Sequence, residues 1–125
     1  MNRSKLFLAL TFGALFFVSC SNDDEPTPEV PLGSYDNGVL VLNQGGFGHG
    51  DASVSYISSD FSVQQNDIFS IVNPTFLLGD TGQDMGLNDD KAYIVLNVSN
   101  KIQIVNRYTM QNISSITEGL KNPRY

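Results

Sequence analysis

The stretch Asp90-Lys91-Ala92-Tyr93-Ile94-Val95-Leu96-Asn97-Val98-Ser99-Asn100-Lys101-Ile102-Gln103-Ile104-Val105-Asn106 decides the fold. Its apolar residues come as two short runs, Ala92–Leu96 and Ile102–Val105, rich in β-branched and aromatic side chains. Such side chains suit a half-buried pleated surface, whereas Asn, Asp and Ser end strands by bonding to turn backbone. The segment reads as two strands joined by the polar turn Val98–Asn100. Upstream, Val39–Leu42 and Val54–Ile57 repeat the pattern, while Val63–Val72 and Ile113–Thr117 read as weaker strands. No ten-residue run between Ser34 and Tyr125 carries the i, i+3, i+4 apolar spacing of an amphipathic helix. The expected fold class is all-β.

Two segments echo each other. Leu40-Val41-Leu42-Asn43 matches Ile94-Val95-Leu96-Asn97 at an offset of 54, and Ser53–Ile57 matches Lys101–Val105 at an offset of 48. The difference lies in one loop, Asn43–Ala52, which is longer than Asn97–Asn100. A repeat of about 50 residues built from short strands points to β-propeller blades. A sandwich of two similar hairpins is the alternative. In the propeller reading the blades lie near residues 38–73 and 84–117. The second has strands at Asp84–Asn88, Ala92–Asn97, Lys101–Asn106 and Gln111–Thr117.

In a four-stranded meander the links alternate between two ends. The short links Asn88–Lys91 and Arg107–Met110 share one end. The longer ones, Asn43–Ala52, Asn73–Gln83, Val98–Asn100 and Glu118–Pro123, share the other. Long loops on a rigid scaffold are where binding groups are usually carried. The candidate ligand-binding residues are therefore Asn43, Gln44, Phe47, His49, Asp80, Asn97 and Asn100, which supply amides, one aromatic face, the only His and one carboxylate.

Other chemistries find less support. The run Gly46-Phe47-Gly48-His49-Gly50 has no Lys and precedes no helix, so it does not make a phosphate cradle. One His beside Asp51 falls short of a metal set, and no metal or cofactor is expected. Asp80-Thr81-Gly82 resembles the aspartic-protease triplet, but Gly79 separates it from the preceding hydrophobic run and no partner triplet follows. It reads as an inter-blade loop. No Gly-x-Ser-x-Gly elbow is present. The 125 residues carry thirteen acidic and seven basic side chains, a net charge of -6, without the clustered Lys and Arg that nucleic acid demands. One Cys excludes a disulfide scaffold.

That Cys has another use. Arg3 and Lys5 precede an uncharged apolar run, Leu6–Val18, too short for a bilayer crossing of roughly 20 residues and followed by Ser19-Cys20. Residues 1–19 read as a signal peptide. The Ser19-Cys20 junction resembles the cleavage box of bacterial lipoproteins, with Phe17 standing where Leu is usual. The resemblance implies lipidation at Cys20, and buried acyl chains contribute about 0.8 kcal/mol per CH₂ to membrane anchoring. Residues 20–33, acidic and then Pro-rich, read as an extended tether. Residues 34–125 form the working domain.

The phrases Lys91-Ala92-Tyr93-Ile94-Val95 and Lys101-Ile102-Gln103-Ile104-Val105-Asn106 resemble a blade of the YVTN/YncE-like propellers. Gly38–Gly48, Leu78–Met85 and Gly119–Tyr125 resemble stretches of surface propeller lipoproteins of Bacteroidetes, so the likeness runs from about Gly38 to Tyr125. Asn106 stands where that family often has Asp. The resemblance implies a ring of about seven blades, of which this chain holds about two as an N-terminal portion. It also implies an outer-membrane, cell-surface location and a ligand-binding rather than enzymatic role. The partner is then a TonB-dependent transporter, and the ligand a glycan or a small molecule such as cobalamin. A propeller hydrolase or lyase, and a protein-interaction or adhesion module, are the alternatives.

Overall fold

The computed structural model describes residues 30–125. The expected signal peptide, the expected lipidation site Cys20 and most of the expected tether lie outside the described residues. Seven strands and one short helix follow in order: β1 (Gly38–Asn43), β2 (Ser53–Ser58), β3 (Gln64–Gln65), α1 (Ile68–Val72), β4 (Gly82–Asn88), β5 (Lys91–Leu96), β6 (Lys101–Asn106) and β7 (Asn112–Ile116). They form two antiparallel sheets, β1-β2-β3 and β4-β5-β6-β7, each a meander of sequential neighbours. The all-β expectation holds. The first sheet has three strands where four were expected, and the second begins two residues earlier, at Gly82.

The expected strand Val63–Val72 is a correction. Only Gln64 and Gln65 pair with β2, and Ile68–Val72 turns into α1. Asp67, at positive φ, breaks the strand, and Ile68 and Phe69 on the following turn are both wholly buried. Burying two large apolar side chains on adjacent residues is easier on a helical turn than on a strand, whose neighbours point to opposite faces.

The repeat also needs correcting by one residue. β2 and β6 start at Ser53 and Lys101, an offset of 48, as the sequence match has it. β1 and β5 start at Gly38 and Lys91, an offset of 53 rather than 54. The pairing agrees: Leu40 lies opposite Tyr56, and Tyr93 opposite Ile104. Leu40 thus corresponds to Tyr93 and not to Ile94. A one-residue slip moves every side chain to the other face, so the look-alike phrases ending in Asn43 and Asn97 occupy opposite faces of equivalent sheets. Both strands are apolar at both parities, so phrase similarity cannot tell the two registers apart.

The sheets pack face to face. Leu40, Leu42, Val54 and Tyr56 from the first meet Ala92, Ile94, Leu96 and Val105 from the second, with Ile68 and Phe69 of α1 closing one side. Asn73, just past the helix, is buried and fully bonded. Its amide nitrogen donates to the carbonyls of Phe69 and Met110, each at 2.9 Å, and its amide oxygen accepts from Asn112 N–H at 2.8 Å. One side chain therefore ties the helix to the β6–β7 turn.

Candidate ligand-binding face

Strand direction defines two ends. At one, the turn end, lie the chain leading into β1, the β2–β3 and β4–β5 turns and the β6–β7 turn. At the other, the loop end, lie the long connections around residues 43–52, 97–100 and 117–123, together with the later part of the link after Asn73, whose own side chain is bonded at the turn end.

The loops at the loop end are laced together. Ala52 N–H donates to Gly79 C=O at 3.1 Å, Gly82 N–H to Gln44 C=O at 3.0 Å, and Asn97 N–H to Thr81 C=O at 2.9 Å. Asp80 is the hub. Its carboxylate accepts from Gly48 N–H at 3.2 Å and from the Thr81 hydroxyl at 2.8 Å, and its own N–H donates to Ser99 Oγ at 2.8 Å. Asp51, weighed from sequence only as a metal ligand and left out of the candidate set, accepts from Gly46 N–H at 2.7 Å and closes the glycine loop. Gly45, Gly48 and Gly50 all sit at positive φ, a conformation that glycine adopts without strain.

The seven sequence-predicted residues divide into two groups. Asn43, Asp80, Asn97 and Asn100 are spent on structure. Asn43 donates to Ser55 Oγ at 2.9 Å, Asn97 to Pro123 C=O at 2.9 Å, and Asn100 accepts from Asn122 N–H at 2.7 Å. Gln44, Phe47 and His49 are exposed, and Phe47 is 78% accessible. Gly46 brings His49 into place, since a methyl group there would stand 2.9 Å from the imidazole Nδ1. Phe76 and Leu77, absent from the sequence-based set, are also exposed beside this lacework, with Leu77 at 83%. Lys101 Nζ donates to Leu77 C=O at 3.0 Å, and burial lowers its pKa. The loop end is therefore a surface of exposed aromatic, apolar and amide groups on a pinned backbone. Among the described residues, no group of three or more His, Cys, Asp or Glu side chains could hold a metal ion.

The turn end differs. Tyr35 N–H donates to Tyr108 C=O at 2.9 Å, Tyr56 Oη to Asp36 C=O at 2.6 Å, and the rings of Tyr35 and Tyr56 meet edge-on at 5.4 Å. Gly33 lies so close to Tyr108 that a side chain there would collide with its carbonyl. Beside this docked segment a cleft of about 230 Å³ is lined by Tyr35, Gly38, Leu40, Arg107 and Tyr108. The Arg107 guanidinium sits 4.5 Å from the Tyr108 ring centre, and its buried Nε has no hydrogen-bond partner among the described residues. None of the seven predicted residues lines this cleft. No sequence signal marks it, because it is made by the segment around Gly33 and Tyr35 lying across a turn about seventy residues further along the chain.

No curated protein matches this sequence. The match with a known family spans nearly all of the described β-structure, from the residue before β1 to the residue before the last. The chain belongs to the family described as Domain of unknown function (DUF5074), which matches residues 37–124.

Proposed function

We propose that the chain is the first portion of a YVTN/YncE-like β-propeller carried by a surface lipoprotein of the outer membrane. Lipid on Cys20 holds it there, and the loop end binds a small ligand or glycan for a TonB-dependent transporter. Cobalamin is one such ligand. It offers the flat and polar surfaces that Phe47, Gln44 and His49 would engage, by stacking and by hydrogen bonds.

The observation that carries this reading is the opposition of the two ends. The tether reaches the sheets at the turn end, through Tyr35 and Tyr108. A chain anchored upstream of Val30 would therefore hold its turn end toward the bilayer and its loop end away from it. The groups at the loop end whose side chains are not engaged in loop structure are the ones a ligand arriving from outside would meet.

Titration calorimetry of the detergent-extracted protein with cobalamin and a glycan panel tests the proposal. Binding of one ligand, weakened at least tenfold in Phe47→Ala/His49→Ala with folding unchanged, is the expected result. A folded protein that binds nothing in the panel, or binds equally well in the double variant, would sink it.

A further inference from the structure

We propose that the turn end seats on the membrane surface, with Phe61, Leu32 and Val30 entering the headgroup layer of a zwitterionic lipid face. The inference rests on the anchored reading above and adds a contact that the anchor alone does not require. It begins at the β2–β3 turn. Phe61 has a φ of 59°, in the left-handed region where a bulky side chain is an outlier. The turn is complete without its ring. Phe61 N–H donates to Ser58 C=O at 2.9 Å, and Asp60 Oδ1 accepts from the Ser62 N–H at 3.1 Å and the Ser62 hydroxyl at 2.8 Å. The ring itself is 82% exposed and stands outside the core. Glycine or asparagine would hold this backbone with less strain. A phenylalanine held at a strained φ and away from the core points to a contact outside the molecule.

Phe61 has apolar company. The Ser59 N–H donates to Asn37 C=O at 2.9 Å, which sets the turn beside the segment entering β1. In that segment Leu32 N–H donates to the Asp36 carboxylate at 2.8 Å, and the Leu32 side chain is 65% exposed. Val30 is 84% exposed and lines a hollow with Leu32, Arg107 and Tyr108. Apolar side chains flanked by an Arg and a Tyr have the composition of a membrane-interface contact, where aromatic rings and long cationic side chains settle at headgroup level. None of these residues lies in a strand of either sheet. Further blades packed on the outer faces would therefore leave them at the surface.

The occupant follows from where the chain enters. Val30 is ten residues beyond Cys20. A lipid on that Cys keeps Val30 within about 35 Å of the bilayer, because a chain spans at most ~3.6 Å per residue. Held this close, the turn end meets lipid at high effective concentration, and a contact too weak for a free protein becomes occupied. Charge narrows the kind of lipid. Asp60, Asp89 and Asp90 stand on the turns of the same end. Carboxylates are costly in hydrocarbon and are repelled by anionic headgroups. The contact therefore stays in the headgroup layer, and a zwitterionic surface suits it better than an anionic one.

The chain contains no Trp, so one introduced indole reports its own surroundings. The full lipid-bearing chain with Phe61→Trp is reconstituted in phosphatidylcholine vesicles and collected by flotation. The vesicles are made with and without phosphatidylcholine brominated near the headgroup end of its acyl chains. Phe47→Trp, at the loop end, is the reference. Leu32→Trp is the second probe, and it replaces the first if Phe61→Trp loses its near-ultraviolet dichroism. The protein should float with the vesicles, and bromine should quench Phe61→Trp and Leu32→Trp at least threefold more than Phe47→Trp. In Leu32→Trp/Phe61→Gly the fold should persist and the quenching should fall at least twofold. Floating protein quenched equally at both ends overturns the membrane contact and leaves the anchor standing, and so does quenching that Phe61→Gly leaves unchanged. Protein that does not float overturns the anchor and the contact together.

Discussion

The two ends of the molecule are built from the same residue types and use them differently. At the turn end, polar side chains close short turns. Asn106 Oδ1 accepts from the N–H groups of Tyr108 and Thr109, both at 3.0 Å, and Asp60 Oδ1 from Ser58 Oγ, Ser62 N–H and Ser62 Oγ. These bonds join residues a few positions apart. At the loop end the partners are distant: Asp80 reaches Gly48, Asn97 reaches Pro123, and Asn100 reaches Asn122. Local bonds close the turns of the first end, with Tyr35–Tyr108 and Tyr56–Asp36 added across the fold, whereas cross-links between loops hold the second. The second arrangement leaves Gln44, Phe47 and His49 exposed without loosening the backbone beneath them.

Substitutions can break this contrast, beginning with the largest effect. Asn73→Ala would orphan Met110 C=O and Asn112 N–H near the turn end, at roughly 1–3 kcal/mol for each buried group left without a partner. The matched change Asn97→Ala, on a half-buried bond at the loop end, should cost about 1 kcal/mol. Urea unfolding checks both, and equal losses would erase the distinction. Gly82→Ala comes next. Its methyl group would stand 2.9 Å from Leu42 Cδ1 and 3.0 Å from Asn43 C=O, where β4 meets β1. Overpacking of this sort costs about 1–3 kcal/mol. Asp80→Ala should cost about 1 kcal/mol while sharply raising hydrogen exchange at Gly48, which sharpens the claim that the carboxylate pins that loop.

The smallest effect is a titration at the turn end. Hydrogen bonds from the Ser58 hydroxyl, then from the Ser62 N–H and hydroxyl, lower the Asp60 pKa from 3.8 to about 2. A depressed carboxylate stabilises the folded form above its unfolded pKa, and that contribution fades as the pH falls through the folded value. The β2–β3 turn should therefore hold at pH 4 and loosen progressively toward pH 2. Proton-detected titration of wild type and Ser58→Ala checks this, with the Asp60 midpoint moving up in the variant.

Much of this was legible in the residues. The strands β5 and β6 follow from the apolar runs flanking Val98–Asn100, and the segregation of long loops follows from counting links in a meander. Asn106, standing where the resembled family often has Asp, caps its turn with its amide oxygen. Three features were hidden. The helix at Ile68–Val72 is one turn long, too short for periodicity to reveal. The repeat register was obscured because strands apolar on both faces match equally well when slipped by one residue. Asn73 looked like a loop residue, since its partners lie up to 39 positions away, across the fold. At the candidate site, residue type picked out loops that the structure brings together at one end. It could not separate the side chains that hold those loops together from those that stay exposed.

The central claim is that the loop end faces outward from an anchor at the turn end. The natural sequence contains a single Cys, Cys20, so an added thiol can be read cleanly. Phe47→Cys and Leu32→Cys, at positions 78% and 65% exposed, place one probe at the loop end and one beside the tether. Both are treated on intact cells with a bulky, membrane-impermeant maleimide. The account predicts that Phe47→Cys labels as fully on intact cells as after lysis, and at least tenfold faster than Leu32→Cys. Labelling of Phe47→Cys only after lysis would contradict it.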